Sequence, residues 1–283
     1  MPPGGKGTTV ARMAYQFTSL RYALERLLEA EHFVTRLVLA QHLEFKFELN
    51  AFLSAARSMT WVMQKAMART QGFQEWYQEQ QSRMAKDDAM RFFLQLRNIS
   101  QKEGPVSYIG GSLPGGGWSY RFVGASVPSA LIGKDISAAC GDHLVKLATV
   151  LSDCADAFPF HSCPAAALTE EGVLALGISF ADIEGALGLP AGWTAVAGIP
   201  PREKLRLLAR EVDPLNRQEI ARLVAGDFRR DGKPVRFPGS TGRDLTDDIA
   251  ELIAEGDPVA SNPRALFLKA IASRINEIDR NDP

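Results

Sequence analysis

Apolar residues in the first hundred positions recur at helical spacing. Met13, Phe17, Leu20, Leu24 and Leu27 follow at alternating steps of four and three, as do Phe45, Leu49, Phe52, Ala56, Met59 and Met63. Such a period lays one apolar stripe along each of two helices. No Gly or Pro interrupts Thr8–Gln71 or Phe73–Glu103. A single helix over the first run would be roughly 95 Å long at ~1.5 Å per residue, so the chain must turn once, between Glu31 and Glu48. The second run predicts a third helix from Phe73 to Ser100, stopped by Gly104-Pro105. In its last turns Met90, Phe93, Leu94 and Arg97 stand at i, i+3, i+4 and i+7, so an arginine continues an apolar stripe.

The pattern then changes. Val106–Ile109 and Trp118–Val123 are short aromatic and β-branched runs around Gly110–Gly117, which predicts a β-hairpin over residues 105–124. A fourth helix is expected from Asp135 to Ala157. Pro159–Pro164 marks a boundary, beyond which the helices shorten. Thr169 and Ser179 are N-caps, and Ser179 with Asp182 has capping-box spacing. Helices are expected over Arg202–Val212, Arg217–Val224, Leu245–Glu255 and Pro263–Ile278, the last with Asn262-Pro263 at its start. The fold class is mostly α: an antiparallel long-helix bundle with a β-hairpin insertion, then a smaller all-α domain. The domains are a flexible leader over residues 1–10, a bundle over 11–160 and a C-terminal domain over 165–283.

Composition narrows the function classes. The 283 residues are 46% hydrophobic and 23% charged, with a formal net charge of −1, so no global field recruits a polyanion or a membrane. No stretch approaches the ~18 apolar residues of a membrane span. Three cysteines in a chain of this length argue against a disulfide framework and for a cytoplasmic protein. Residues 1–104 carry 14 Lys+Arg against 10 Asp+Glu, leaving 18 against 23 in the remainder, so a polyanion would meet the first half.

Most familiar chemistries find no footing. Cys140, His143, Cys154, His161 and Cys163 match no zinc spacing, and Cys154 lies roughly 16 Å along the helix from His143 at ~1.5 Å per residue. No metal and no cofactor are expected. Gly110–Gly117 has five glycines but no lysine, and sits between strands rather than before a helix, which fits a hairpin tip better than a phosphate cradle. Four histidines without a glycine-flanked serine leave nucleophilic hydrolysis unsupported. Ser179–Leu187 and Asn216–Ala225 bring too few cations for recognition helices.

The informative stretch is Asp88–Pro105, with Arg97-Asn98 near a helix end, after long helices. It resembles the HEPN superfamily: small helical bundles, commonly dimeric, often metal-independent ribonucleases. Their motif is an Arg, a polar residue, four to six intervening positions and a His. The resemblance covers about residues 11–160 and implies Arg97 and Asn98 as the catalytic pair, with Arg97 holding the scissile phosphate. The histidine is absent: the corresponding positions are Lys102, Glu103 and Gly104. Lys102 reads either as a phosphate contact or as a cation at a helix C-terminus, so the ribonuclease motif is degenerate.

A second polar stripe, Asn50, Ser54, Arg57 and Trp61 at i, i+4, i+7 and i+11, either faces solvent or joins Arg97 around one anion. The nucleic-acid-binding set is thus Arg97, Lys102, Arg57 and Asn50. Taken together, the reading is a HEPN-like RNA- or nucleotide-binding protein of a bacterial defence or toxin–antitoxin setting. It is expected to be a homodimer with an antitoxin-type partner and no membrane. The alternatives are a slow metal-independent ribonuclease and a dimeric interaction scaffold with no nucleic-acid ligand.

Overall fold

In the computed structural model, residues 14–102, 104, 106–112, 118–237, 262 and 264–272 are described. The fold is mostly helical. Helix α1 (Arg21–Leu37) and α2 (His42–Met67) form the expected antiparallel pair, and the turn between them uses residues 38–41. Arg36 Nε donates to Glu48 Oε1 at 2.6 Å, a side-chain clasp across that turn. Of the stripe's described residues, Phe17 and Leu20 precede the helix, which starts at Arg21. Before it the chain is held by other partners: the Thr18 hydroxyl donates to the His161 carbonyl at 2.7 Å, and the Leu20 amide donates to the Ser162 carbonyl at 2.8 Å.

The expected third helix is two. Helix α3 (Phe73–Lys86) ends at Asp87, and α4 (Asp88–Lys102) starts immediately after it. Asp87 has an extended backbone (ψ 111°), and its Oδ1 accepts the Met90 amide at 3.0 Å while Oδ2 pairs with Lys146. A capping carboxylate inside a continuous apolar pattern therefore breaks the helix without Gly or Pro. The Asp87 carboxyl lies below its ordinary value. Burial alone would raise it, but Lys146 and the Met90 amide outweigh that cost.

Strands β1 (Tyr108–Ser112) and β2 (Trp118–Phe122) form the hairpin, with Gly110 opposite Tyr120. A Cβ at Gly110 would lie 2.4 Å from the Tyr120 ring, so only glycine fits there. Tyr120 in turn stacks on Phe45 with ring centroids 3.6 Å apart, and its hydroxyl accepts the His42 amide at 2.9 Å. Helix α5 (Ile136–Ala157) is capped by Asp135, whose Oδ1 accepts the Ser137 amide at 2.8 Å. Its Oδ2 accepts the Tyr120 amide at 3.1 Å and the Ser119 hydroxyl at 2.9 Å. One carboxylate thus starts α5 and fastens the hairpin to it.

Short helices follow: α6 (Pro164–Ala167), α7 (Glu170–Leu176), α8 (Phe180–Leu187), α9 (Pro201–Leu208) and α10 (Arg217–Val224), with a small hairpin of β3 (Arg229–Arg230) and β4 (Lys233–Pro234). The Thr169 cap and the Ser179–Asp182 capping box are both present. Residues 1–238 form one compact unit and 239–283 another; the division falls at 238 and not in the 159–164 segment. Leu215, Ile220, Leu223 and Phe228 share the core of α1, α2, α4 and α5, while Leu168, Ile178, Ile183, Leu205 and Leu208 make a smaller one. In the second unit, residues 264–272 are helical. The leader over 1–10, the loop over 113–117, Glu103, the helix expected over Leu245–Glu255 and the end of the last helix lie outside the described residues.

Helix α10 joins the first core through a buried ion pair. Arg222 donates from Nη1 and Nη2 to the two oxygens of Glu31 at 2.6 and 2.7 Å, and the Arg229 amide donates to Glu31 Oε1 at 2.8 Å. Breaking such a pair leaves an uncompensated buried charge. Arg222→Ala is expected to lower stability by about 3–5 kcal/mol, read as a drop in the urea midpoint. Replacing both Glu31 and Arg222 by Met recovers part of the loss.

Candidate anion-binding cleft

Four helices line an open-mouthed cleft of about 230 Å³. Arg57 and Thr60 reach it from α2, Tyr77 from α3, Arg97 from α4 and His143 from α5. The walls between them are mostly apolar, with Gln81 and Arg91 also in the lining. Met90, Phe93, Leu94 and Arg97, the stripe read from the sequence, all line it. That stripe is a cleft wall; the buried side of α4 is Phe92, Phe93 and Leu96, with Phe93 common to both.

The arginines differ in their partners. Arg91 pairs with Asp88 one turn back. Among the described residues neither Arg57 nor Arg97 has a carboxylate within ion-pair distance. Arg57 donates from Nη1 to the Thr60 hydroxyl at 3.0 Å, and Arg97 donates from Nη1 to Asn98 Oδ1 at 3.2 Å. The Arg97 Nε is buried and has no hydrogen-bond partner. Glu44 and Glu48, which could have neutralised Arg97 from α2, both face Arg36. Unpaired buried donors are rare because each costs the full loss of its hydration.

His143 is the residue that sequence reasoning missed in this role. Its ring stacks on Phe93, with centroids 4.3 Å apart and planes 10° from parallel, and its Nδ1 is also buried without a partner. Burial, with the nearby Lys146 charge, lowers its pKa to about 3 against the opposing pull of Asp87, so the imidazole is neutral at pH 7. The only local signal is that Cys140, His143, Leu144 and Leu147 share one face of α5. Nothing in that spacing tells the face of a cleft from the face of a core. Burial likewise pushes the Tyr77 phenol above its ordinary value, opposed by hydrogen bonding with Thr60 and by the Arg57 charge, so it stays protonated.

The other expected site residues sit elsewhere. Lys102 is exposed at the end of α4, and Asn50 is half-buried two turns before Arg57; neither lines the cleft. Asn98 touches it only through its bond to Arg97. Trp61, one turn beyond Arg57, is 75% exposed. Among the described residues no three His, Cys, Asp or Glu side chains converge as a metal site. Burial raises the Cys140 thiol well above its ordinary value and Cys154 to about 12, which keeps both protonated. No helix among the described residues is long and apolar enough to cross a membrane.

The sequence profile of the family described as Bacteriophage lambda protein ea47 matches residues 25–109. That segment runs from α1 to the start of β1 and includes Arg57, Arg91 and Arg97, but not His143. No curated protein and no solved structure matches the chain.

An arginine with no internal carboxylate should be dispensable to the fold. Arg97→Met is expected to change stability by less than about 1 kcal/mol, or to raise it, since no buried anion is orphaned. Thermal and urea unfolding measure this. A loss of several kcal/mol would make Arg97 a structural residue.

Proposed function

We propose that the protein binds RNA or a nucleotide through phosphate contacts from Arg57 and Arg97, as a HEPN-like protein whose ribonuclease motif is degenerate. The observation that carries this reading is the pair of guanidinium groups without carboxylate partners on one cleft. A partly buried cation gains from a counter-charge, and planar guanidinium groups suit phosphate oxygens. The toxin–antitoxin setting and an antitoxin-type partner, which the HEPN resemblance implies, belong to the same reading.

Efficient cleavage is not part of it. Proton removal from a 2′-hydroxyl calls for a base with a pKa near the working pH. His143 is the imidazole on the cleft, and with a pKa of about 3 it is a poor one. Lys102 stands outside the cleft.

Single-stranded RNA binding measured by fluorescence anisotropy tests the reading. Affinity is expected to fall with added salt, with a log–log slope of about −0.7 per phosphate contacted. Arg57→Ala and Arg97→Ala are each expected to weaken binding about tenfold, or ~1.4 kcal/mol. Metal-free cleavage stays at trace level in all forms. Binding that ignores salt and both substitutions would overturn the proposal, and rapid turnover abolished by Arg97→Ala would overturn the degenerate motif.

The homodimer belongs to this proposal as well. Leu43, Phe47 and Trp61 stand on the exposed face of α2, in line with Asn50, Ser54 and Arg57. Large apolar side chains grouped on one helix face call for cover, and a second copy supplies the same face. Sedimentation at micromolar concentration is expected to give twice the 30.9 kDa of one chain. A species of one chain's mass, unchanged by Phe47→Glu, would remove the dimer.

A further inference from the structure

We propose that the cleft takes a phosphomonoester, the phosphorylated end of an RNA or a free nucleoside monophosphate, with Arg57 and Arg97 as its counter-charges and His143 as a neutral third contact. This rests on the RNA- or nucleotide-binding reading of the same cleft and names the group that enters it.

Charge is the first argument. Arg91 is neutralised by Asp88 and Lys146 by Asp87, which leaves Arg57 and Arg97 as the two uncompensated cations on the cleft. A phosphomonoester carries about −1.5 to −2 at pH 7, whereas an internal phosphodiester carries a single negative charge. In a cleft with apolar walls an unmatched charge is costly, so two free guanidinium groups match the monoester.

Hydrogen bonding is the second. Arg97 Nε and His143 Nδ1 are both buried and partnerless, and both side chains line the cavity. The terminal oxygens of a monoester supply acceptors for both. In the tautomer with its proton on Nδ1, a neutral imidazole donates one N–H there, which completes such a set without adding a third positive charge.

Size is the third. The cavity of about 230 Å³ is smaller than the ~300–1,000 Å³ of sites that enclose drug-sized ligands. It has room for a phosphate with part of a nucleoside against Met90, Phe93 and Leu94.

The groups facing His143 leave the ligand's own proton as the one that moves near pH 6. Arg57 on α2 and Arg91 and Arg97 on α4 are the guanidinium groups on this cleft. Tyr77 on α3 is raised by burial, Asp87 between α3 and α4 is lowered, and Lys146 on α5 is paired with Asp87. His143 itself titrates at about 3. A phosphomonoester takes up its second proton near pH 6; a diester does not.

The test compares one short RNA with a 5′-phosphate, with a 3′-phosphate or with hydroxyls at both ends, and AMP with adenosine. Calorimetry on the full chain is expected to show the phosphorylated member of each pair binding about tenfold tighter. That preference should shrink several-fold from about pH 7.5 to about pH 5.5. Arg97→Met should abolish it, and His143→Phe, which keeps the ring stack on Phe93, should weaken it. Nitrogen NMR of His143 in the wild-type protein gives a readout free of any folding defect, with its ring resonances moving on addition of AMP. Preference for AMP without RNA binding supports this inference while removing the RNA reading, and preference confined to a phosphorylated RNA end identifies that source. Equal affinity for phosphorylated and hydroxyl RNA, lost in Arg97→Met, leaves the RNA reading and overturns this one. No discrimination between AMP and adenosine or between RNA ends, with unmoved His143 resonances, overturns it outright.

Discussion

The bidentate pairing of Arg222 with Glu31 is the interaction on which the extent of the first compact unit depends. A carboxylate on α1 that is 5% exposed cannot remain in that position unless donors reach it, and all the donors come from beyond residue 216: the Arg222 guanidinium and the Arg229 amide. Helix α10 therefore has to dock on the α1–α5 layer, and Ile220 and Leu223 enter the main core with it. The charge has a cost that an apolar pair would avoid. It gives in return a docking position fixed by geometry: two parallel N–H···O bonds permit far fewer arrangements than an apolar contact of the same area.

Asp135 and Asp87 apply the same physics elsewhere. Each is a carboxylate that caps a helix and holds a second element: Asp135 the hairpin, Asp87 the Lys146 side chain of α5. The cleft exists because of the second. Had α3 run on through Asp87, Arg97 would sit on a straight extension of the Tyr77 helix. The break allows Tyr77, Arg97 and His143 to face one another across a small space. The orientation of α4 is thus tied to a surface-edge ion pair, while its contacts with Phe52 and Phe122 hold its other face.

Elements whose signal is local were legible in the chain. Residues 42–67 carry an apolar stripe that shows the helix though not where it begins, residues 136–157 follow a legible start at Asp135, and the capping box at Ser179 is readable from two residues. The Asp87 break was harder, because a carboxylate inside a periodic pattern usually lies on the solvated face of one helix. The start of α1 was misread for a different reason: Phe17 has the right spacing, but it packs with Tyr15 against the smaller core, a choice made by residues far along the chain. The same limit applies to the cleft. Arg97 could be singled out because an arginine on an apolar stripe is a local anomaly, and Arg57 because it sits in a polar stripe. His143 could not, since its neighbours on α5 are those of an ordinary core helix and its stacking partner, Phe93, lies fifty positions away.

The contrast between Arg222 and Arg97 bears on the proposal that the cleft is a binding site. Both residues are partly buried on helices of the same unit. Arg222 is surrounded by Glu31, Glu219 and the Asp227 carbonyl, and this chain has no shortage of carboxylates with which to do the same for Arg97. Instead Glu44 and Glu48 turn to Arg36, and Arg97 keeps an amide oxygen and an empty Nε. An amide oxygen orients a guanidinium without cancelling its charge, so the group is held in place and still positive. Folding alone gains nothing from that arrangement, because a methionine would fill the same volume at lower cost. Under the proposed reading, a preorganised, uncompensated cation beside a neutral imidazole becomes favourable when an anion arrives to complete it.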